Sequence, residues 1–214
     1  MGATAPAEDF ALRAMAAIRK LIVGLGNPGP EYAQTRHNAG RWLLDSWTEA
    51  TRLTLRFDSQ LKAHVAQVPL GEVTLIVAAP SGYMNESGAA VQALLKYFKI
   101  EPERALVAHD ELDLAPGVAR LKFDGGHGGQ NGLRDIVAAL GHGKFWRLRI
   151  GIGHPGVKDQ VTPWVLGRPA LADQVSIRRA IDAAQAVLPM WLDGREAQAT
   201  KQLHTRADPT ELGQ

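Results

Sequence analysis

Four separate segments carry polar side chains of a catalytic type: Asn27; Arg36-His37-Asn38; Tyr83-Met84-Asn85; and His109-Asp110. Asn131, inside the glycine-rich run Gly125–Gly132 (GGHGGQNG), adds a fifth. Each has an ordinary explanation when taken alone. Asn serves turns and helix caps, and Asn131 is placed to cap the helix that follows it. What points to chemistry is their recurrence in loops and at strand ends. A His beside a carboxylate, with amide side chains and no Ser or Cys elbow, suits a water activated by imidazole. The carboxylate fixes the tautomer and stabilises the imidazolium that forms. Amide NH₂ groups hold the water or donate to a developing oxyanion. A general base is worth roughly 10²–10⁴ in rate, about 3–5.5 kcal/mol. That is enough for an activated ester, whose alkoxide leaves with less help than an amine. A peptide bond would call for a stronger acid or a metal.

Two other chemistries compete. His37, His109, Asp110, Glu111, Asp113, His127 and His154 could ligate a metal. There is no H-E-x-x-H and no carboxylate pair at ligand spacing, so no metal and no cofactor is expected. Gly24-Leu25-Gly26-Asn27-Pro28-Gly29 fits G-x-G-x-x-G after a strand and suggests a dinucleotide fold. Pro28 and Pro30 argue against it, because they stop a helix from starting where a pyrophosphate needs its amides. Asp45 has the spacing of the ribose-binding acid but sits inside a helical pattern. The loop is then a tight turn, or a mount for the Asn27 amide at a strand end.

These residues need elements to position them. Lys20–Gly24 reads as a buried strand. Ala39–Thr51 reads as a helix, with Leu43, Trp47 and Ala50 at i, i+4 and i+7. Lys62–Val68 and Glu72–Ala79 around Pro69-Leu70-Gly71 read as a hairpin. Ser87–Phe98 is an amphipathic helix with Val91, Leu94, Leu95 and Phe98 on one face. Arg104–His109, Val118–Phe123 and Trp146–Ile152 read as strands. Leu133–Leu140, Leu171–Leu188 and Glu196–His204 read as helices. The alternation predicts one α/β domain with a twisted mixed sheet and helices on both faces. It spans residues 20–204, with an N-terminal extension over 1–19 and a polar tail over 205–214.

Composition narrows the class. The 214 residues are 45% hydrophobic and 21% charged, an ordinary globular balance. Net charge is only +2, but 16 of the 24 basic residues are Arg, whose planar fork grips phosphate or carboxylate. The absence of Cys excludes disulfides, thiolate metal sites and a Cys nucleophile, and it suits a reducing cytoplasm. No apolar run has the length of a membrane span, and residues 1–20 lack the continuous apolar stretch of a signal peptide. Met15 is an alternative start.

With these residues in place, the chain resembles the bacterial-type peptidyl-tRNA hydrolases. The resemblance runs from about Lys20 to His204 in six blocks. They are Val23–Gly29 (VGLGNPG), Thr35–Gly40 (TRHNAG), Tyr83–Gly88 (YMNESG), Val107–Leu114 (VAHDELDL), Gly125–Leu133 (GGHGGQNGL) and Arg147–Gly156 (RLRIGIGHPG). It implies a cytoplasmic, monomeric enzyme without a metal that cuts the ester between a peptide and the ribose of tRNA. His37 would be the catalytic base and Asp110 its partner. Asn27 and Asn85 would bind the peptide and ester region, and Met84 would line the pocket. Tyr32 joins this substrate-binding set, and Asn131 would position the water or the substrate amide. Lys122 and Arg149 would clamp the 5′ phosphate of tRNA, with Arg178, Arg179 and Lys158 as further candidates for the acceptor arm. Gln130 departs from the pattern, standing where His is common. Ser81-Gly82 depart too, standing where larger residues often occur. An RNA-binding scaffold of the same fold is the competing reading from another class, and the intact set Asn27, His37, Asp110 and Asn131 argues for catalysis instead.

Overall fold

The apolar runs pair into one seven-stranded mixed sheet of order β2-β3-β4-β1-β5-β7-β6. The structure is a computed structural model that describes residues 18–206. The strands are β1 (Ile18–Gly24), β2 (Arg56–Asp58), β3 (Ala63–Leu70), β4 (Val73–Pro80), β5 (Ala105–Glu111), β6 (Ala119–Phe123) and β7 (Trp146–Gly151). β1 runs parallel to β4 and β5, and β5 parallel to β7. The outer pairs β2–β3, β3–β4 and β6–β7 are antiparallel. The central strands are buried on both faces, which is why they read as unbroken apolar runs.

Strand alternation divides the core in two. Ile22 packs with Leu43, Ile181 and Leu203, from helices α1 (Ala39–Thr51), α5 (Leu171–Leu192) and α6 (Glu196–Arg206). Its neighbours Leu21 and Val23 pack with Leu94 and Ile136, from α2 (Ser87–Phe98) and α3 (Asn131–Leu140) on the other face. A short helix, α4 (Val161–Val165), follows the loop after β7.

The helices α1 and α2 stand where the periodicity puts them. Several boundaries move. β1 opens at Ile18 rather than Lys20, because Ile18 pairs with Val73. α5 passes Pro189 and ends at Leu192 rather than Leu188. Its last turn buries Trp191 and Leu192, and the buried Lys20 ammonium donates to the Trp191 carbonyl while pairing with Glu196. α6 runs past His204 to Arg206. Residues 1–17 and 207–214, most of the expected extension and tail, lie outside the described residues.

No helix begins inside the first glycine triplet. The next helical turn is the 3₁₀ segment Arg36–Asn38. Gly24 and Gly40 are there for packing instead. A Cβ on Gly24 would lie 2.5 Å from the Gly40 carbonyl, and one on Gly40 2.2 Å from the Ala108 carbonyl. These contacts press the N-terminus of α1 against the ends of β1 and β5.

Candidate active site

Three parallel neighbours, β4, β1 and β5, end on the same side of the sheet, and each feeds a loop or strand end that carries polar groups. β4 leads to Tyr83-Met84-Asn85, β1 to Asn27, and β5 ends in Asp110 and Glu111. The connection after β1 leads through α1 toward β2, β3 and β4 on one side of it, and the one after β4 leads through α2 to β5 on the other, so a crevice opens there, where open α/β sheets hold their sites. A cleft of about 510 Å³ fills that position. Asn27, His37, Met84, Asn85, Asp110, Gln130 and Asn131 all line it.

His37 sits in the 3₁₀ turn ahead of α1, with its Nδ1 2.8 Å from Asp110 Oδ2. Both side chains are buried. An ionised carboxylate only accepts, so Nδ1 carries the hydrogen and Nε2 is left as the acceptor. Burial pulls the His37 pKa down, while the charge and hydrogen bond of Asp110 pull it up, and the net direction is upward.

Asp110 has a second partner that the sequence reading missed. Gln130 Nε2 donates to Asp110 Oδ1 at 3.0 Å and lies 3.2 Å from the Met84 sulfur. Gln130 Oε1 accepts from Leu133 N at 2.7 Å, so Gln130, and not Asn131, caps α3. Asn131 is the first residue of the helix. Its departure from the family pattern was the only signal at Gln130. Asn38, singled out in the sequence with His37, has a supporting place: it is buried, and its amide bonds both ways to the Asn27 backbone at 2.9 and 3.0 Å. Arg36 Nη1 bonds the carbonyls of Trp164, Gly167 and Arg168, and its guanidinium lies 3.8 Å over the Trp164 ring. It thereby ties α4, whose Val161, Thr162 and Val165 line the cleft, to the His37 turn.

The amides are oriented by what they already hold. Asn27 Oδ1 accepts from Met84 N at 2.8 Å, which leaves its NH₂ as the free end. Asn131 Oδ1 accepts from Arg134 at 3.1 Å, with the same result. Asn85 is exposed on the cleft wall. Tyr32 does not line the cleft. It packs edge-on against Tyr83, which does, with centroids 6.2 Å apart.

Lys122 and Arg149 lie on β6 and β7. Lys122 faces Arg147 across the pair and Arg120 faces Arg149, so all four basic residues share one sheet face. Lys122 is exposed, while Arg149 donates to Glu111 at 2.7 Å. Arg147 is buried and holds the Gly125 carbonyl at 2.6 Å. Of the acceptor-arm candidates, Arg178 lies 5.9 Å over Trp42, and Arg179 and Lys158 are exposed. Among the described residues no three His, Asp or Glu side chains converge as a metal-binding group, and no helix is long and apolar enough to cross a membrane.

Fold and cleft together define a single-sheet α/β enzyme of the hydrolase class. The model of the peptidyl-tRNA hydrolase family matches residues 21–211. A peptidyl-tRNA hydrolase of Xanthomonas campestris pv. campestris (strain 8004) is 58% identical over 191 residues, covering 89% of this chain and 98% of its own. One from Stenotrophomonas maltophilia (strain R551-3) is 57% identical over 191 residues, covering 89% and 99%. A crystal structure of peptidyl-tRNA hydrolase in complex with n-propanol superposes with a TM-score of 0.85 at 45% identity, covering 89% of this chain and 96% of that one. The enzyme from Acinetobacter baumannii gives 0.84 at 45% identity, covering 88% and 95%. The chain belongs to the peptidyl-tRNA hydrolase family.

Proposed function

We propose that this chain, a peptidyl-tRNA hydrolase by family, cleaves the ester between peptide and tRNA with a water activated at His37 Nε2. The observation that carries this reading is the His37–Asp110 pair, 2.8 Å apart, opening into a cleft lined by four side-chain amides, those of Asn27, Asn85, Gln130 and Asn131. His37 Nε2 takes a proton from water as the water oxygen bonds to the ester carbonyl carbon. Asp110 stabilises the imidazolium. The carbonyl oxygen becomes an oxyanion and accepts from a free NH₂, that of Asn27, whose own oxygen is engaged by Met84 N. The tetrahedral centre collapses, the C–O bond to ribose breaks, and the imidazolium returns its proton to the departing alkoxide. Peptide acid and tRNA are the products.

Asn85 and Asn131 bind the acyl portion, Met84 forms the wall beneath it, and Tyr32 acts by bracing Tyr83. Lys122 and Arg149 take the tRNA phosphate. Such contacts read charge and backbone shape and leave base sequence unread, as an enzyme serving many tRNAs requires. The enzyme works in the cytoplasm, as a monomer and without a metal.

The test is release of N-acetyl-amino acid from N-acetyl-aminoacyl-tRNA, with and without EDTA, by wild type and His37→Ala. Release that survives chelation and collapses in the variant is expected. Binding of tRNA without release would favour a scaffold, and loss on chelation alone would make His37 a ligand.

A further inference from the structure

A second cleft of about 660 Å³ adjoins the catalytic one. The two meet twice. Asn85 lines both, and the consecutive residues Arg134 and Asp135 of α3 face one each. The second cleft lies between α2 and α3, beyond the end of β4, where Lys62, Ser81 and Gly82 form its rim.

Strand order gives the pair of clefts a direction. The basic residues proposed to take phosphate sit on β6 and β7, on one side of β1, and Glu111 of the catalytic cleft reaches them through Arg149. The second cleft opens at the end of β4, which is on the other side of β1. An ester held at His37 with its RNA over β7 therefore sends its acyl chain toward Asn85. An extended peptide advances about 3.3–3.6 Å per residue, so the next few residues leave the catalytic cleft at that border.

We propose that the second cleft seats the peptide residues that precede the ester-linked one. The proposal rests on the reading of His37 as the ester site. The cleft suits a main chain of mixed sequence. Ala89, Ala138 and Ala139 leave room for varied side chains. Its carboxylates are held in place: Glu86 accepts from Tyr83 N at 3.1 Å, and Asp135 from Gly88 N at 2.6 Å. The groove is thus a fixed polar trough that borders the catalytic cleft at Asn85.

The experiment compares kcat/KM for N-acetyl-alanyl-tRNA and N-acetyl-tetra-alanyl-tRNA, using wild type and Ala89→Trp, which fills the trough. Wild type should favour the longer substrate by on the order of tenfold, the worth of one well-seated residue. Ala89→Trp should lose that preference and keep its rate on the shorter substrate, which also shows that it is folded. Ala139→Trp, from the facing helix, gives the same reading should Ala89→Trp be unstable. A length preference that survives filling, that is absent from wild type, or that is lost together with the shorter substrate in a folded variant overturns the proposal. Failure of the His37 reading shows differently, as turnover of N-acetyl-alanyl-tRNA that persists in His37→Ala.

Discussion

Asp110 is shared between two donors, and the two affect His37 in opposite directions. Its bond to His37 raises the histidine pKa, while the Gln130 amide draws charge from the same carboxylate. Asp110→Asn removes the charge. It should lower the rate by on the order of 10²-fold or more and move the acid limb of the pH–rate profile down. Gln130→Met keeps the contact with Met84 and removes the donor. It should move the acid limb up, and loss of the α3 cap should cost about 0.5–2 kcal/mol of stability. Opposite shifts in the two profiles are the check, and an unmoved profile in Asp110→Asn would end the case for that residue. The raised pKa also has a stability consequence. The pairing stabilises the fold at pH below the unfolded histidine value, and this contribution is lost as pH rises through the folded value. Asp110→Asn should flatten that part of the curve of denaturation midpoint against pH. The sequence showed His37, Asp110 and the amides, because their types are catalytic. It did not show Gln130 against Asp110 or Asn38 against Asn27, because those contacts exist only after the glycine-rich loop and the 3₁₀ turn fold back onto strand ends.

At the scale of elements, legibility followed burial and length. α1 and α2 carry two or more turns of apolar periodicity, and the structure keeps both limits. β2 has three residues and exists because it pairs with β3 at the sheet edge. α4 has five residues, among them a proline, and little helix preference of its own. What holds it is Arg36, a side chain 128 positions away from the Trp164 carbonyl it bonds. Trp164 Nε1 also donates to the Gly153 carbonyl at 2.9 Å, so α4 is a wall of the cleft fastened both beside His37 and to the loop after β7. Lysine there offers a point charge and no planar fork, so Arg36→Lys cannot reproduce three carbonyl bonds and a stacked ring. The variant should expose the amides of residues 157–168 to faster hydrogen exchange and lose about 1–3 kcal/mol of stability. It should raise KM more than it lowers kcat, because the wall lines the cleft and the reacting pair is intact. Equal protection in the two proteins would show that the wall is held by its own packing.

On the whole molecule, a net charge of +2 hides a concentrated field. Arg120, Lys122, Arg147 and Arg149 share one face of the β6–β7 pair, next to a loop of small residues that lets a polyanion approach. They are not equivalent. Arg147 is committed to Gly125, and Arg120 to the His204 carbonyl at 3.0 Å. Arg149 is held by Glu111, a carboxylate that borders the cleft, so a phosphate bound there would share it, while Lys122 is exposed to solvent. Binding should weaken with salt by about 0.7–0.9 log units per log unit of salt for each phosphate neutralised. Lys122→Ala and Arg149→Ala should each reduce that slope and raise KM with kcat little changed. A flat response in wild type would remove these residues from the RNA footprint. The sharper comparison uses tRNA with and without its 5′ phosphate. If the pair grips that group, wild type should lose affinity when it is removed, and the double variant should bind both forms alike. A double variant that still distinguishes them would move the phosphate elsewhere and leave Arg149 as the brace that holds Glu111 at the edge of the cleft.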